Sequence, residues 1–250
     1  MNSANDRLSP SKNKSPVSST GQPLRLDDAS SLPDHFVARL RELDSIFLAN
    51  TYVDSIAADP RVRPLVTELE EHLRVQPVRG YHCTREPCPG HFAREGLRLT
   101  DVEAHQREFL QNFGHLFTAS ELQDMQKAWT NYFVGEHQVR GRNGRLWFCL
   151  TEKTARSDGT QVFFEHFGGE AIFMPLKRHP TIAAKLGTIG TPVIVEVRLV
   201  PEAPSRHRSL ALPLLSAYHR TRRADANSGE AETYIERPLA ACDVLSVTAV

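Results

Sequence analysis

Apolar and polar positions change rhythm twice along this chain, and the changes divide it into three parts. Over residues 1–32 the apolar residues are scattered among Ser, Asn, Lys, Pro and Asp. Such a stretch cannot bury enough surface to offset the entropy of ordering, so a disordered tail is expected. From Pro33 the spacing becomes helical. Phe36, Val37, Leu40, Leu43, Ile46, Phe47 and Leu48 recur at helical intervals, with Ser31 or Asp34 placed to cap the start. Val62, Leu65, Val66, Leu69 and Leu73 make a second stripe over 60–73. Together these predict a helical N-terminal brace over 33–76.

The third part, 77–250, opens with the strand-like run 78–85 and a short helix within 90–99 that ends on a glycine cap at Gly96. Helices follow over 101–112 and 118–133, the second behind the capping-box pattern Thr118-Ala119-Ser120-Glu121. β-Branched and aromatic residues then predict strands at 146–151, 171–174, 192–200, 233–235 and 244–247. Helices first and strands afterwards, with hairpin-like spacing, point to an α+β class rather than a doubly wound parallel sheet.

Composition narrows the function only by exclusion. The 250 residues carry 30 basic and 30 acidic side chains, so no charge excess announces a nucleic-acid or membrane partner. No apolar run approaches the ~20 residues of a membrane span. The start, Met1-Asn2-Ser3-Ala4-Asn5-Asp6, lacks a basic head followed by an apolar stretch, and a cytoplasmic location is expected. Four cysteines are too few for a disulfide framework. Cys83-x4-Cys88-x2-His91, beside His82, has residue types that bind zinc, but a structural site wants four ligands in paired clusters. Loop and core thiols, with no metal site, are the expectation. P-loop, dinucleotide-fold glycine, metalloprotease and nucleophile-elbow motifs are all missing from the sequence.

Candidate chemistry sits at two strand-to-loop junctions far apart in the chain. His82 lies in Val78-Arg79-Gly80-Tyr81-His82-Cys83-Thr84-Arg85, and Glu232 opens Glu232-Thr233-Tyr234-Ile235-Glu236-Arg237-Pro238. The order of a strand ending His-x-Thr, a short helix ending Gly-Leu, an aromatic strand and a late Glu-x-x-Ile-x-x-Pro strand resembles the His-to-Glu branch of the ADP-ribosyltransferase superfamily. That branch includes diphtheria-type toxins, poly(ADP-ribose) polymerases, tRNA 2'-phosphotransferases and DNA-targeting toxins. The resemblance covers 78–250 and implies a split antiparallel β core acting on NAD. It implies that His82 hydrogen-bonds a ribose hydroxyl, with Thr84 at the usual hydroxyl position and Cys83 where the family often has a carboxamide-contacting glycine. Phe148, with Trp147 second, would stack on the nicotinamide, and Glu232 would polarise the ribose 2'-hydroxyl. It further implies transfer of ADP-ribose to an acceptor, nucleic acid or protein, or hydrolysis of NAD, in a bacterial toxin or defence effector. A catalytically inactive nucleotide- or protein-binding module on the same fold is the alternative.

The chemistry wants these residue types whatever the family. Breaking the nicotinamide–ribose bond develops oxocarbenium-like charge, which a fixed carboxylate stabilises. An aromatic face holds the leaving ring, and Gly168-Gly169 would either let backbone approach a ligand closely or make a turn. Glu230, Glu236 and Glu170 compete with Glu232 as the acid. The basic stretch Arg140-Gly141-Arg142-Asn143-Gly144-Arg145 fits a solvated turn, or a site for NAD phosphates or a nucleic acid. His219-Arg220-Thr221-Arg222-Arg223 reads the same two ways, and its Ala-Asn-Ser-Gly sequel predicts a mobile loop ahead of Glu232.

Overall fold

A computed structural model describes residues 21–200, 208–227 and 231–250. Its five strands are β1 (Val78–Glu86), β2 (Leu146–Cys149), β3 (Thr191–Leu199), β4 (Glu232–Ile235) and β5 (Val244–Ala249). They form one sheet in the order β4-β2-β1-β3-β5, and every neighbouring pair is antiparallel. The α+β class expected from the sequence is what the chain adopts. β1 and β3 pair along their whole length, from Val78↔Leu199 to Glu86↔Thr191.

Alternation along the strands sends two sets of side chains to two faces. Val193, Val195, Val197 and Leu199 of β3 bury one face together with Leu146 and Phe148 of β2. The same core contains Phe36, Leu40, Phe47, Ile56, Leu65, Leu69 and Leu73 from helices α1 (Asp34–Glu42), α2 (Asp44–Ala49), α3 (Val53–Ala58) and α4 (Arg63–Leu73). The brace is therefore part of the main core. Its first expected helix is broken at Leu43, and its second starts at Arg63, with Pro64 in the first turn where a missing N–H costs nothing.

Three expectations are corrected. Residues 21–32 are packed, not disordered: Leu24 donates to Pro77 and accepts from Arg79, while Leu26 and Leu32 are buried. Few apolar residues suffice there, because the backbone bridge to β1 holds them on the core. Residues 1–20 of the expected tail and Glu230 lie outside the described residues.

The run 171–174 is not a strand. Gly168 and Gly169, both at positive φ, turn the chain into a helical turn at Gly169–Ile172, and a 3-10 turn follows at Met174–Leu176. Ala171, Ile172, Phe173 and Leu176 then pack on Met125 and Trp129. A four-residue apolar run fits either state, and these partners decide it.

His219–Arg223 is not a solvated turn, and Ser228 and Gly229 of its sequel lie outside the described residues. Ala211–Arg222 is a helix whose Pro213 sits in the first turn, and its His219 is buried with Nε2 3.0 Å from the Asn50 carbonyl.

Between β1 and β2 lie α5 (His91–Glu95), α6 (Val102–Phe113), α7 (Ala119–Phe133) and α8 (Glu136–Arg140). Asp101 caps α6, and Thr118 with Glu121 closes the capping box of α7, as the sequence predicts. With the 161–190 segment α6 and α7 build a second apolar cluster around Phe109, Trp129 and Ile172. Arg85, at the end of β1, ties this lobe to the sheet. Its guanidinium donates to the carbonyls of Phe164, Gly187, Ile189 and Gly190 at 2.5–2.9 Å. No helix among the described residues is long and apolar enough to cross a membrane.

Gly96 ends α5 at φ 73°, where Leu97 and Leu239 exchange backbone hydrogen bonds. A Cβ there would lie 2.1 Å from the Leu239 carbonyl oxygen. Gly96→Ala is expected to destabilise the fold by about 3 kcal/mol, from backbone strain plus the clash. Denaturant unfolding checks this, and an unchanged midpoint would contradict it.

Candidate functional site

β1 and β2 share a single paired position, Tyr81↔Cys149, and then part. Cys149 pairs in turn with Glu232 of β4. Tyr81, Cys149 and Glu232 thus form one row across three strands, and His82 lies one residue past it. At ordinary strand spacing the backbones of His82 and Glu232 are about 10 Å apart. The gap between the parting strands is the mouth of a cleft of about 770 Å³, which both residues line.

The parting leaves the Trp147 carbonyl without a partner from β1, and His82 fills that role. Its Nδ1 lies 2.9 Å from the Trp147 oxygen. A carbonyl only accepts, so Nδ1 carries the proton and donates. Regular pleating would send this side chain to the face opposite Tyr81, Cys149 and Glu232; the bond to Trp147 holds it in the gap instead. Burial pushes the imidazole below its ordinary pKa, against a smaller opposing effect of the Trp147 carbonyl. The ring is therefore neutral near pH 7, with Nε2 a bare acceptor. Its tautomer is fixed by a backbone atom, not by a side chain that could move.

The other residues singled out from the sequence fall in the same cleft but in different settings. Cys83 and Thr84 line its β1 wall. The Cys83 thiol donates to the Ala155 carbonyl at 3.4 Å, and Cys149 beside it is a buried thiol whose ionisation is pushed up by Cys83 and by burial. Phe148 is only 2% exposed and belongs to the core, with its ring packed against His82. Trp147 is half-buried and lines the cleft, beside Tyr234 and with the Arg208 guanidinium 5.5 Å from its ring. Of the two aromatic candidates, Trp147 offers more open ring surface.

Geometry also sorts the carboxylates. Glu236 pairs with Arg145 at 3.7 Å and does not line the cleft. Glu170 lines it but lies 3.2 Å from Arg142. Glu232 lines it, is exposed, and makes no hydrogen bond or ion pair among the described residues. Of these acids it alone keeps an unengaged charge facing the cleft.

Sequence reasoning placed Arg140–Arg145 in a solvated turn or near a phosphate. The structure buries Arg142 in the cleft wall, with its side chain 12% exposed, and sets Glu170 against it. It also missed the aromatic far wall, where Phe113, Phe163 and Phe167 are half-buried. Among the described residues no group of three or more His, Cys, Asp or Glu is placed to hold a metal ion. Cys88 is exposed beside Arg94, while Cys83 faces the cleft. Compared with known proteins, the chain matches no family model, no curated protein and no solved structure.

The depressed pKa of His82 has a definite sign in stability. Unfolded, the ring titrates near 6.5; folded, it titrates lower, so the unfolded chain binds more protons in between. Acidification below pH 6.5 therefore penalises the folded state until the folded ring also protonates. His72 and His166 shift the same way, so the share of His82 is the difference between wild type and His82→Gln. The variant is expected to lose less stability than wild type between about pH 7.5 and about pH 5, measured by urea unfolding. An equal loss in both proteins would show that His82 is not the depressed group.

Proposed function

We propose that this protein breaks the nicotinamide–ribose bond of NAD and transfers ADP-ribose to an acceptor, with water as the acceptor in hydrolysis. One observation carries the reading: His82 and Glu232, on strands far apart in the chain, line a single cleft, and Glu232 has no side-chain partner among the described residues. The short Tyr81↔Cys149 ladder within an antiparallel sheet supports the split β core that the resemblance to ADP-ribosyltransferases implies.

Each role follows from local chemistry. Nε2 of neutral His82 accepts from a ribose hydroxyl, which orients the sugar between the two strands. As the glycosidic bond lengthens, its electron pair leaves with nicotinamide and positive charge grows on the anomeric carbon. The Glu232 carboxylate, with no cation paired to it among the described residues, stabilises that charge and accepts from the ribose 2'-hydroxyl. An acceptor oxygen or nitrogen then attacks the anomeric carbon and loses its proton. Trp147 is the better placed ring for the leaving nicotinamide, with Phe148 as floor beneath His82, and Cys83 and Thr84 on the adjoining wall. The acceptor is a nucleic acid or a protein, and a cytoplasmic toxin or defence effector fits such a reaction.

Nicotinamide release from NAD tests the reading. Wild type is expected to release it, and Glu232→Gln to lose about 10²–10³-fold in rate, the usual cost of removing one transition-state electrostatic contact. Stability should hold, since the side chain is exposed and unpaired. NAD binding without release in wild type would favour the inactive binding module. Absence of both binding and release would sink the enzyme and the NAD-binding module alike.

A further inference from the structure

The cleft contains a cation held ready for an anion that its present partner serves poorly. Arg142 is fixed on three sides. Its Nη1 donates to the carbonyl and the side-chain oxygen of Gln138, at 2.9 and 2.6 Å. Its Nη2 donates to the Tyr132 hydroxyl at 3.4 Å, and the guanidinium lies 5.7 Å from the centre of that ring. A further donor, Nε–H, is buried and makes no hydrogen bond. Glu170 Oε2 stands 3.2 Å away but off the line of the N–H bond, so charge is matched while the hydrogen bond is not. A buried donor left without an acceptor is destabilising, and an acceptor in the right place removes that cost.

Two other arginines of the cleft are otherwise engaged. Arg85 is committed to four carbonyls, and Arg98 makes a two-pronged bond to Glu108 at 3.0 and 2.7 Å. Arg142 is also tied to the aromatic end of the site, because the carbonyl of its neighbour Gly141 accepts from Trp147 Nε1 at 3.4 Å. Glu170, by contrast, is 38% exposed and follows two glycines at positive φ, so its side chain can leave without disturbing the core.

We propose that Arg142 is the anchor for the diphosphate of the dinucleotide, and that Glu170 is a stand-in anion which the diphosphate displaces. The inference rests on the reading of the cleft as an NAD site and adds its phosphate contact. A phosphate oxygen lined up on Nε–H would make the charge-assisted bond that Glu170 does not. The displaced carboxylate turns to water, so the exchange leaves no buried charge unpaired.

The two residues then act with opposite signs on affinity, which a merely structural ion pair would not give. Binding is measured by calorimetry for NAD and by NMR titration for nicotinamide riboside, which has no phosphate, both in Glu232→Gln protein to suppress turnover. Arg142→Gln is expected to weaken NAD roughly tenfold or more, the loss of one hydrogen bond to a charged group, and to leave the riboside unchanged. Glu170→Gln is expected to tighten NAD a few-fold and again leave the riboside alone. Should Arg142→Gln fail to fold, the sign of the Glu170→Gln effect decides. Weaker NAD binding in Glu170→Gln, or equal losses for both ligands in Arg142→Gln, overturns the anchor while the NAD site stands. If the Glu232→Gln parent binds neither ligand, the NAD reading itself falls and takes this inference with it.

Discussion

A sheet that joins two central strands through one residue must find other partners for the backbone groups the missing ladder would have satisfied. Here that constraint falls on the Trp147 carbonyl, and the His82 imidazole meets it. The bond does two things at once. It removes an unsatisfied acceptor from a half-buried wedge between strands, and it fixes which ring nitrogen is left for a ligand. Had β1 and β2 zipped fully, His82 would point into the core beneath Phe148 and no cleft would open. The split is thus the structural cause of the site, and the histidine tautomer is a consequence of the split.

Holding the strands apart needs support on the far side, and the helical lobe supplies it. Arg85 closes four carbonyls of the 161–190 segment onto the end of β1, which positions Phe163, Gly168, Gly169 and Glu170 across from β2. The same β1 strand therefore carries the cleft-lining residues His82 to Thr84 and, directly after them, the fastening that sets the opposite wall. The distance between the walls is built into one stretch of backbone. The apolar cluster behind, around Phe109, Trp129 and Ile172, keeps that wall stiff.

Much of this was legible in the sequence where local signals agree with tertiary ones. α6 and α7 show as helices and α7 shows its capping box, β3 shows its β-branched run, and the strand-to-loop junctions at His82 and Glu232 stand out as polar exits from apolar segments. What stayed hidden depends on partners distant in the chain. Residues 171–174 have no periodicity of their own, and Trp129, whose Nε1 donates to the Ile172 carbonyl, settles their helical state. The helix Ala211–Arg222 is buried nearly all round, so it has no polar face to mark its period. Arg142 and Glu170 come from separate segments, a turn after α8 and the helical turn Gly169–Ile172, and nothing near either residue indicates the other. The preference for Trp147 over Phe148 likewise needed the alternation of β2 to be set against a particular core.

Leu24 lies beside Val78 as a single parallel bridge, and Leu26 and Leu32 follow it into the main core. A chain shortened to begin at Pro33, as composition alone would recommend, would lose both side chains from the interior. At about 1.5–3 kcal/mol each, that loss is comparable with the ~5–15 kcal/mol that keeps an ordinary domain folded. It would also uncover the start of β1, leaving the strand that bears His82 with an open, sticky end. Polar composition in this leader disguises a clasp: any shorter form of the protein made for crystallisation or assay should retain residues from Gly21 onward.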